Sequence, residues 1–111
     1  LEVRAARDGT KATEVAPDHP LLRAAESALA QSTGVAPIRV RMGATLPLTD
    51  ICARVLGLDT VMFSFATADE DFHAPNECWR ETSIGEGFAA WVALLRNLSP
   101  LTRQDFAAAR R

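Results

Sequence analysis

The residues of this chain that could do chemistry gather in two short segments. In one, His73 stands among Asp69, Glu70, Asp71 and Glu77. A neutral imidazole is a good ligand for zinc, and nearby carboxylates can orient its other ring nitrogen. The same residues also read as an exposed loop histidine among solvated acids, and spacing alone favours that reading. No second histidine lies within helical reach, because His19 is far off in the chain, and one histidine with some carboxylates does not complete a metal site. In the other segment, Gly43-Ala44-Thr45 falls between an expected strand and an expected helix. Backbone N–H groups at such a helix start, with a hydroxyl beside them, suit a carboxylate or phosphate. A plain strand-to-helix turn capped by Thr45 or Thr49 is the reading that local evidence favours, because a lone Gly-x-Thr is a weak signal. Arg41 could pair with an anion through two N–H groups, or be a surface charge at a strand end. No Gly-x-Ser-x-Gly elbow, phosphate-binding loop or Cys–His nucleophile arrangement is present.

The elements that must position these residues can be read from periodicity. Residues 1–8 alternate loosely and stop at Gly9, as a strand does before a turn. Residues 9–19 have the composition of a linker or hinge. A helix is expected from Asp18-His19-Pro20, with Asp18 as cap, Leu22, Ala25 and Leu29 as its apolar stripe and Gly34 as its stop. Residues 37–41 read as a short strand, and 48–56 as a helix whose Ile51, Cys52, Val55 and Leu56 share a face before Gly57. The run Thr60 to Phe65 has the look of a strand covered on both faces. An acidic loop follows to Arg80. A long helix then starts near Thr82 or Ser83, where Ser83 and Glu86 have capping-box spacing. Its buried stripe is expected to be Ile84, Phe88, Trp91, Leu95 and Leu98, which places Trp91 in the core and leaves Trp79 open. The Ala-rich tail to Arg111 is expected to be helical, with little reason to pack tightly. Strands alternating with helices argue for an α/β layer, a partial mixed or parallel sheet with flanking helices. Both chemistry-bearing segments then follow strands, where functional groups of such sheets gather.

Composition narrows the classes. With 111 residues, 48% of them hydrophobic, 23% charged and a net charge of −2, the chain reads as one ordinary globular domain at most. No cluster of Lys and Arg marks a nucleic-acid surface. The longest apolar run, Phe88 to Leu95, falls far short of the ~20 residues of a membrane span, and no secretory leader opens the sequence. Cys52 and Cys78 fit no zinc or redox spacing and read as reduced cytosolic thiols. The first residues are Leu1-Glu2-Val3, without Met, so the chain is expected to be an interior piece of a longer one.

Taken together, the two segments resemble a known pair. Arg41-Met42-Gly43-Ala44-Thr45-Leu46-Pro47 resembles the Arg-x-Gly-Gly-Ser-Ile-Pro segment of carnosinase-type dipeptidases, and His73-Ala74-Pro75-Asn76-Glu77 resembles the closing His-x-x-Asn-Glu motif of that two-metal hydrolase family. The family includes aminoacylase, acetylornithine deacetylase, succinyl-diaminopimelate desuccinylase and glutamate carboxypeptidase. The likeness runs over about residues 16 to 99, and the pair of motifs at this separation is more specific than either alone.

The resemblance implies a fold and a function. Residues 1–15 would be the last strand of an inserted lid and dimerisation domain plus its hinge. Residues 16–99 would be the C-terminal half of a di-zinc exopeptidase-type catalytic domain, and 100–111 a helical tail. His73 would be the terminal ligand of the second metal, with Glu77 orienting its loop. Gly43, Ala44 and Thr45 would hold the substrate's carboxylate, with Arg41 as a further candidate. Two zinc ions, or manganese or cobalt, would activate a water against the amide of a dipeptide or N-acyl amino acid. The parent would be a cytoplasmic homodimer. Ala44 departs from the second Gly of the pattern, and Thr45 replaces Ser but keeps the hydroxyl. The family's first metal-binding His, bridging Asp, general-base Glu and remaining acidic ligands belong to its N-terminal half and are absent here, so the chain alone is expected to be inactive. The alternatives are a non-catalytic α/β binding module and a family member that has lost activity.

Overall fold

The computed structural model describes residues 11–41 and 46–109. Helix α1 spans Pro20–Thr33. Pro20 suits its first turn because its missing N–H would have had no partner there and its φ is already near helical. The cap is His19, not Asp18 as the sequence suggests. His19 Nδ1 accepts the Leu21 N–H at 3.2 Å, and the ring is 4% exposed. An acceptor at Nδ1 leaves the proton of the neutral ring on Nε2. Gly34 ends α1 as expected, at φ 71, with its N–H on the Ala30 carbonyl.

Helix α1 packs on the long helix, here labelled α3 (Thr82–Leu98), through small side chains. Ala24, Ala25 and Ala28 are buried on α1; Gly87, Ala90 and Leu94 are buried on α3. The alanines of this set let two backbones approach closely, and Asn97 Nδ2 reaches the Ala24 carbonyl at 3.2 Å. The stripe read from the sequence is therefore the wrong face. Ile84, Phe88, Trp91 and Leu95 are exposed, Phe88 by 72%, and Trp91 is not core. Periodicity located the helix, but the partner helix chose the seam of small residues beside the row of large ones. Nor does Ser83 cap α3: the flanking residue is Glu81, in helical conformation and without a side-chain cap bond. The tail forms α4 (Arg103–Ala108), started by a Thr102–Asp105 capping box, and Phe106 lies 6.0 Å from the His19 ring.

The sheet expected from the sequence is not there. Among the described residues no strand forms, and the elements are helices joined by irregular segments. Residues 37–41 and 60–65 have strand-like composition, but a strand exists only through ladder hydrogen bonds to a neighbour, and neither segment has one. The run 62–66 is covered on one side by α3, not on both. Phe63 meets Trp91 edge-on at 5.2 Å and Phe65 at 5.1 Å, while Met62 and Ser64 are exposed. Gly87 leaves room for this contact: a Cβ there would sit 3.2 Å from the Phe65 ring. The first expected strand, residues 1–8, lies outside the described residues.

Two compact units result. One comprises Ala16–Ile38 and the described residues from 62 onward, which includes α1, α3 and α4. The other takes residues 11–15, 39–41 and 46–61. It holds α2 (Pro47–Ile51) and a wider, π-helical turn, Cys52–Leu56, closed by Gly57 at φ 61. Ile51, Val55 and Leu56, expected on a buried face with Cys52, are exposed, and Cys52 is half-buried. No helix among the described residues is long and apolar enough to cross a membrane.

The α1–α3 seam is closed to solvent at Ala28 and Ala90, which are both fully buried. Ala90→Leu is expected to destabilise the fold by about 1–3 kcal/mol through overpacking. Urea denaturation followed by far-UV circular dichroism checks this, and an unchanged midpoint would contradict the packing described.

Candidate functional site

His73 sits in a loop whose two ends are tied by one carboxylate. Thr67 and Glu70 form a capping box around the short 3₁₀ turn Ala68–Glu70: Glu70 Oε2 accepts the Thr67 N–H at 3.1 Å, and the Thr67 hydroxyl accepts the Glu70 N–H. Glu70 Oε1 accepts the Arg80 N–H at 3.2 Å and its Nη1 at 3.4 Å. The Glu70 backbone carbonyl takes the Cys78 N–H at 3.1 Å. Glu70 is 1% exposed and is the largest fully buried side chain of the described residues. A carboxylate withdrawn from water needs this many donors, and no described buried side-chain polar atom lacks a partner.

Arg80 closes the outside of the same knot. Its guanidinium pairs with both oxygens of Asp69 and donates to the Thr67 hydroxyl. The Arg80 guanidinium, and then the Thr67 hydroxyl, hold the Asp69 carboxyl at about 2, below its ordinary 3.8. Arg80 is pushed up in turn, first by its hydrogen bond to Asp69.

Between the ties, the chain is shaped by two consecutive turns. The Ala74 N–H reaches the Asp71 carbonyl at 3.0 Å, with His73 at φ 58 in the third position. The Glu77 N–H reaches the Ala74 carbonyl at 3.1 Å, with Asn76 at φ 68. Pro at the second position and a positive φ at the third are the signature of a type II turn, which accounts for Ala74-Pro75-Asn76-Glu77. Asp71 is also left-handed, at φ 50. Asp, His and Asn are the non-glycine residues that tolerate this region best. The spacing from His73 to Glu77 is thus turn chemistry as well as a candidate site.

The structure places the expected site residues as follows. His73 is exposed at the outside of this loop, and no hydrogen bond joins it to Glu77, which is exposed too. Arg41 is exposed in the other unit and pairs with Glu14 at 2.7 Å. Gly43, Ala44 and Thr45 lie outside the described residues. Among the described residues no group of three His, Cys, Asp or Glu side chains could hold a metal ion. The donor set therefore fits one ligand position, an accessible imidazole, and does not by itself build a metal centre. Trp79, left open by the sequence, is 63% exposed. Sequence reasoning passed over Glu70 and Arg80, counting Glu70 as one more acid of a polar loop. The available signal was Thr67-x-x-Glu70, the same spacing that was read at Ser83-x-x-Glu86.

Two outcomes follow from this geometry. Asp69, with its carboxyl depressed in the fold, contributes stability that is complete above 3.8 and lost as the pH falls from there through about 2. Asp105 acts in the same direction through the N–H and hydroxyl of Thr102. The thermal midpoint should therefore fall across that acid window, and fall less in Asp69→Asn, as melts at stepped pH would reveal. At the type II turn, Asn76→Gly should leave amide exchange at Glu77 unchanged. Asn76→Val should accelerate it by the equivalent of about 1–2 kcal/mol, because a β-branched residue resists positive φ.

Searches of curated proteins and of solved structures gave no match. A family model does match, that of peptidase family M20/M25/M40, over residues 1–97. That span includes both the Arg41–Pro47 segment and the His73–Glu77 turn pair. On this match the chain belongs to peptidase family M20/M25/M40, a family of generally metal-dependent hydrolases.

Proposed function

We propose that this chain is the histidine-bearing C-terminal part of the catalytic domain of a dipeptidase or N-acyl amino acid hydrolase of the carnosinase and aminoacylase type. The observation that carries the reading is the position of His73. Within a chain of the M20/M25/M40 family, it is an exposed imidazole on a loop that is shaped by two turns and tied at both ends to a buried carboxylate. Such ordering of a surface histidine holds the ring at one point of the loop. A metal ligand requires it, because the ring must be presented in one place.

A pair of divalent ions, zinc with manganese or cobalt as alternatives, would supply a water activated for attack on the scissile amide carbonyl. His73 would contribute one imidazole to the second ion, and residues of the parent outside this chain would contribute the rest. Glu77 is proposed to support the loop through its N–H, which closes the second turn. Gly43, Ala44 and Thr45 are proposed to receive the substrate carboxylate through backbone N–H groups and the Thr hydroxyl. Arg41 is near them in the chain and held in reserve by an exposed ion pair of little worth, so it would be free to turn to an anion. A cytoplasmic homodimeric parent completes the proposal, with the 111-residue chain inactive alone.

In the intact protein, His73→Ala is expected to remove one equivalent of bound metal. It should lower kcat/KM on a panel of dipeptides and N-acyl amino acids by more than the roughly 10–100-fold typical of residues that only orient a ligand. Metal content by mass spectrometry and steady-state kinetics measure both. Full activity in His73→Ala would refute the ligand assignment, and metal-dependent hydrolysis by the purified chain would refute its dependence on other residues.

A further inference from the structure

We infer that Glu70 is the positioning residue for His73, and that its carboxylate, not that of Glu77, sets the place of the imidazole. This rests on the reading of His73 as a metal ligand. Glu77 is exposed and makes no bond to His73, and its tie to the loop is its backbone N–H. Glu70 is buried, and all of its acceptors are engaged. Oε2 takes the Thr67 N–H, Oε1 takes the N–H and guanidinium of Arg80, and its carbonyl takes the Cys78 N–H.

These bonds join residue 67 to residues 78 and 80, so they set the width of the loop's base. Beyond that base the loop has no core of its own, because residues 71–77 are all exposed. Its three left-handed residues, Asp71, His73 and Asn76, are of types that tolerate this conformation, so the two turns run a set course outward from the base. The base is in turn fixed to the packed unit on both sides. Phe65, two residues before Thr67, sits against Gly87, and Arg80 runs directly into α3. Position therefore passes from the α3 core to Glu70, and from Glu70 through two short turns to His73.

A carboxylate is required for this job. It offers two acceptor oxygens to donors arriving from opposite ends of the loop. Gln in its place would turn an NH₂ group toward one of those N–H donors. Asp would be a methylene too short to reach both.

The test uses the intact protein and zinc alone. Zinc affinity is measured by competition with a chromophoric chelator, and amide exchange over 71–77 and over α3 is followed alongside kcat/KM. Glu70→Gln is expected to lower both zinc affinity and kcat/KM by about 10–100-fold. Exchange over 71–77 should quicken while exchange in α3 is retained. Glu77→Gln, which keeps the backbone N–H that closes the second turn, should lower zinc affinity less than Glu70→Gln does. A residue that served stability alone would lower the melting temperature without changing the zinc affinity of the folded protein. Unchanged zinc affinity in Glu70→Gln, or an equal loss in Glu77→Gln, would overturn the inference. Should Glu70→Gln fail to fold, Arg80→Gln keeps the backbone donor and removes the guanidinium from Oε1. It should give a smaller loss of zinc affinity in the same direction, and no loss would overturn the inference. If His73→Ala keeps its full zinc content, the ligand reading itself fails. If His73→Ala loses zinc while Glu70→Gln binds it normally, only the positioning role fails.

Discussion

A buried carboxylate that gathers backbone N–H groups from both ends of a loop is the constraint on which the His73 segment depends. The Glu70 carboxylate cannot be withdrawn from water unless Thr67 and Arg80 come to it, so burying one side chain closes the whole excursion between them. The arrangement is cooperative. The capping box orders the 3₁₀ turn, that turn aims the carboxylate inward, and the carboxylate receives the residues that lead into α3. Arg80 and Asp69 reinforce the knot from the solvent side, where an ion pair alone would contribute little.

The helices supply the frame to which this knot is fastened. Small residues on α1 and α3 let the two helices meet closely, and Gly87 extends the same economy of volume to the aromatic segment that precedes the loop. The consequence is an α3 whose large apolar side chains face outward. A row such as Ile84, Phe88, Trp91 and Leu95 is costly to leave in water, and rows of this extent commonly mark surfaces that meet something else. His19 shows the reverse economy. A titratable ring is buried, and it serves as a helix cap and as a platform for Phe106.

For function, the division between the two chemistry-bearing segments matters. The His73 loop is ordered down to individual turn positions, and under the proposed function that order has a purpose. Under the proposed function, precision at a single ligand is what a part of a metal site must contribute. The other ligands would come from elsewhere, and an imidazole free to wander would forfeit its share of the binding. Turn residues that carry a positive φ without glycine are consistent with such a demand, since they are stiffer than glycine in the same place.

The sequence by itself determined the local features: the extents of α1 and α3, the glycine stops at Gly34 and Gly57, the helical tail, and the His73–Glu77 motif with its family resemblance. The helix extents, stops and tail rest on short-range physics, on periodicity and glycine stops, which a linear string carries. It did not determine the sheet, the buried face of α3, the cap at His19 or the role of Glu70. Residues 60–65 have strand composition, yet a strand needs a neighbour's ladder, and no property of one segment supplies it. The row of large residues on α3 is the stronger apolar signal, yet the buried positions are Ala90 and Leu94, with Gly87 under the Phe65 ring. Glu70 looked like any acid in an acidic loop. Only when Arg80, ten positions on, was folded back against it did tertiary structure make that one carboxylate buried, saturated with donors and decisive for where His73 stands.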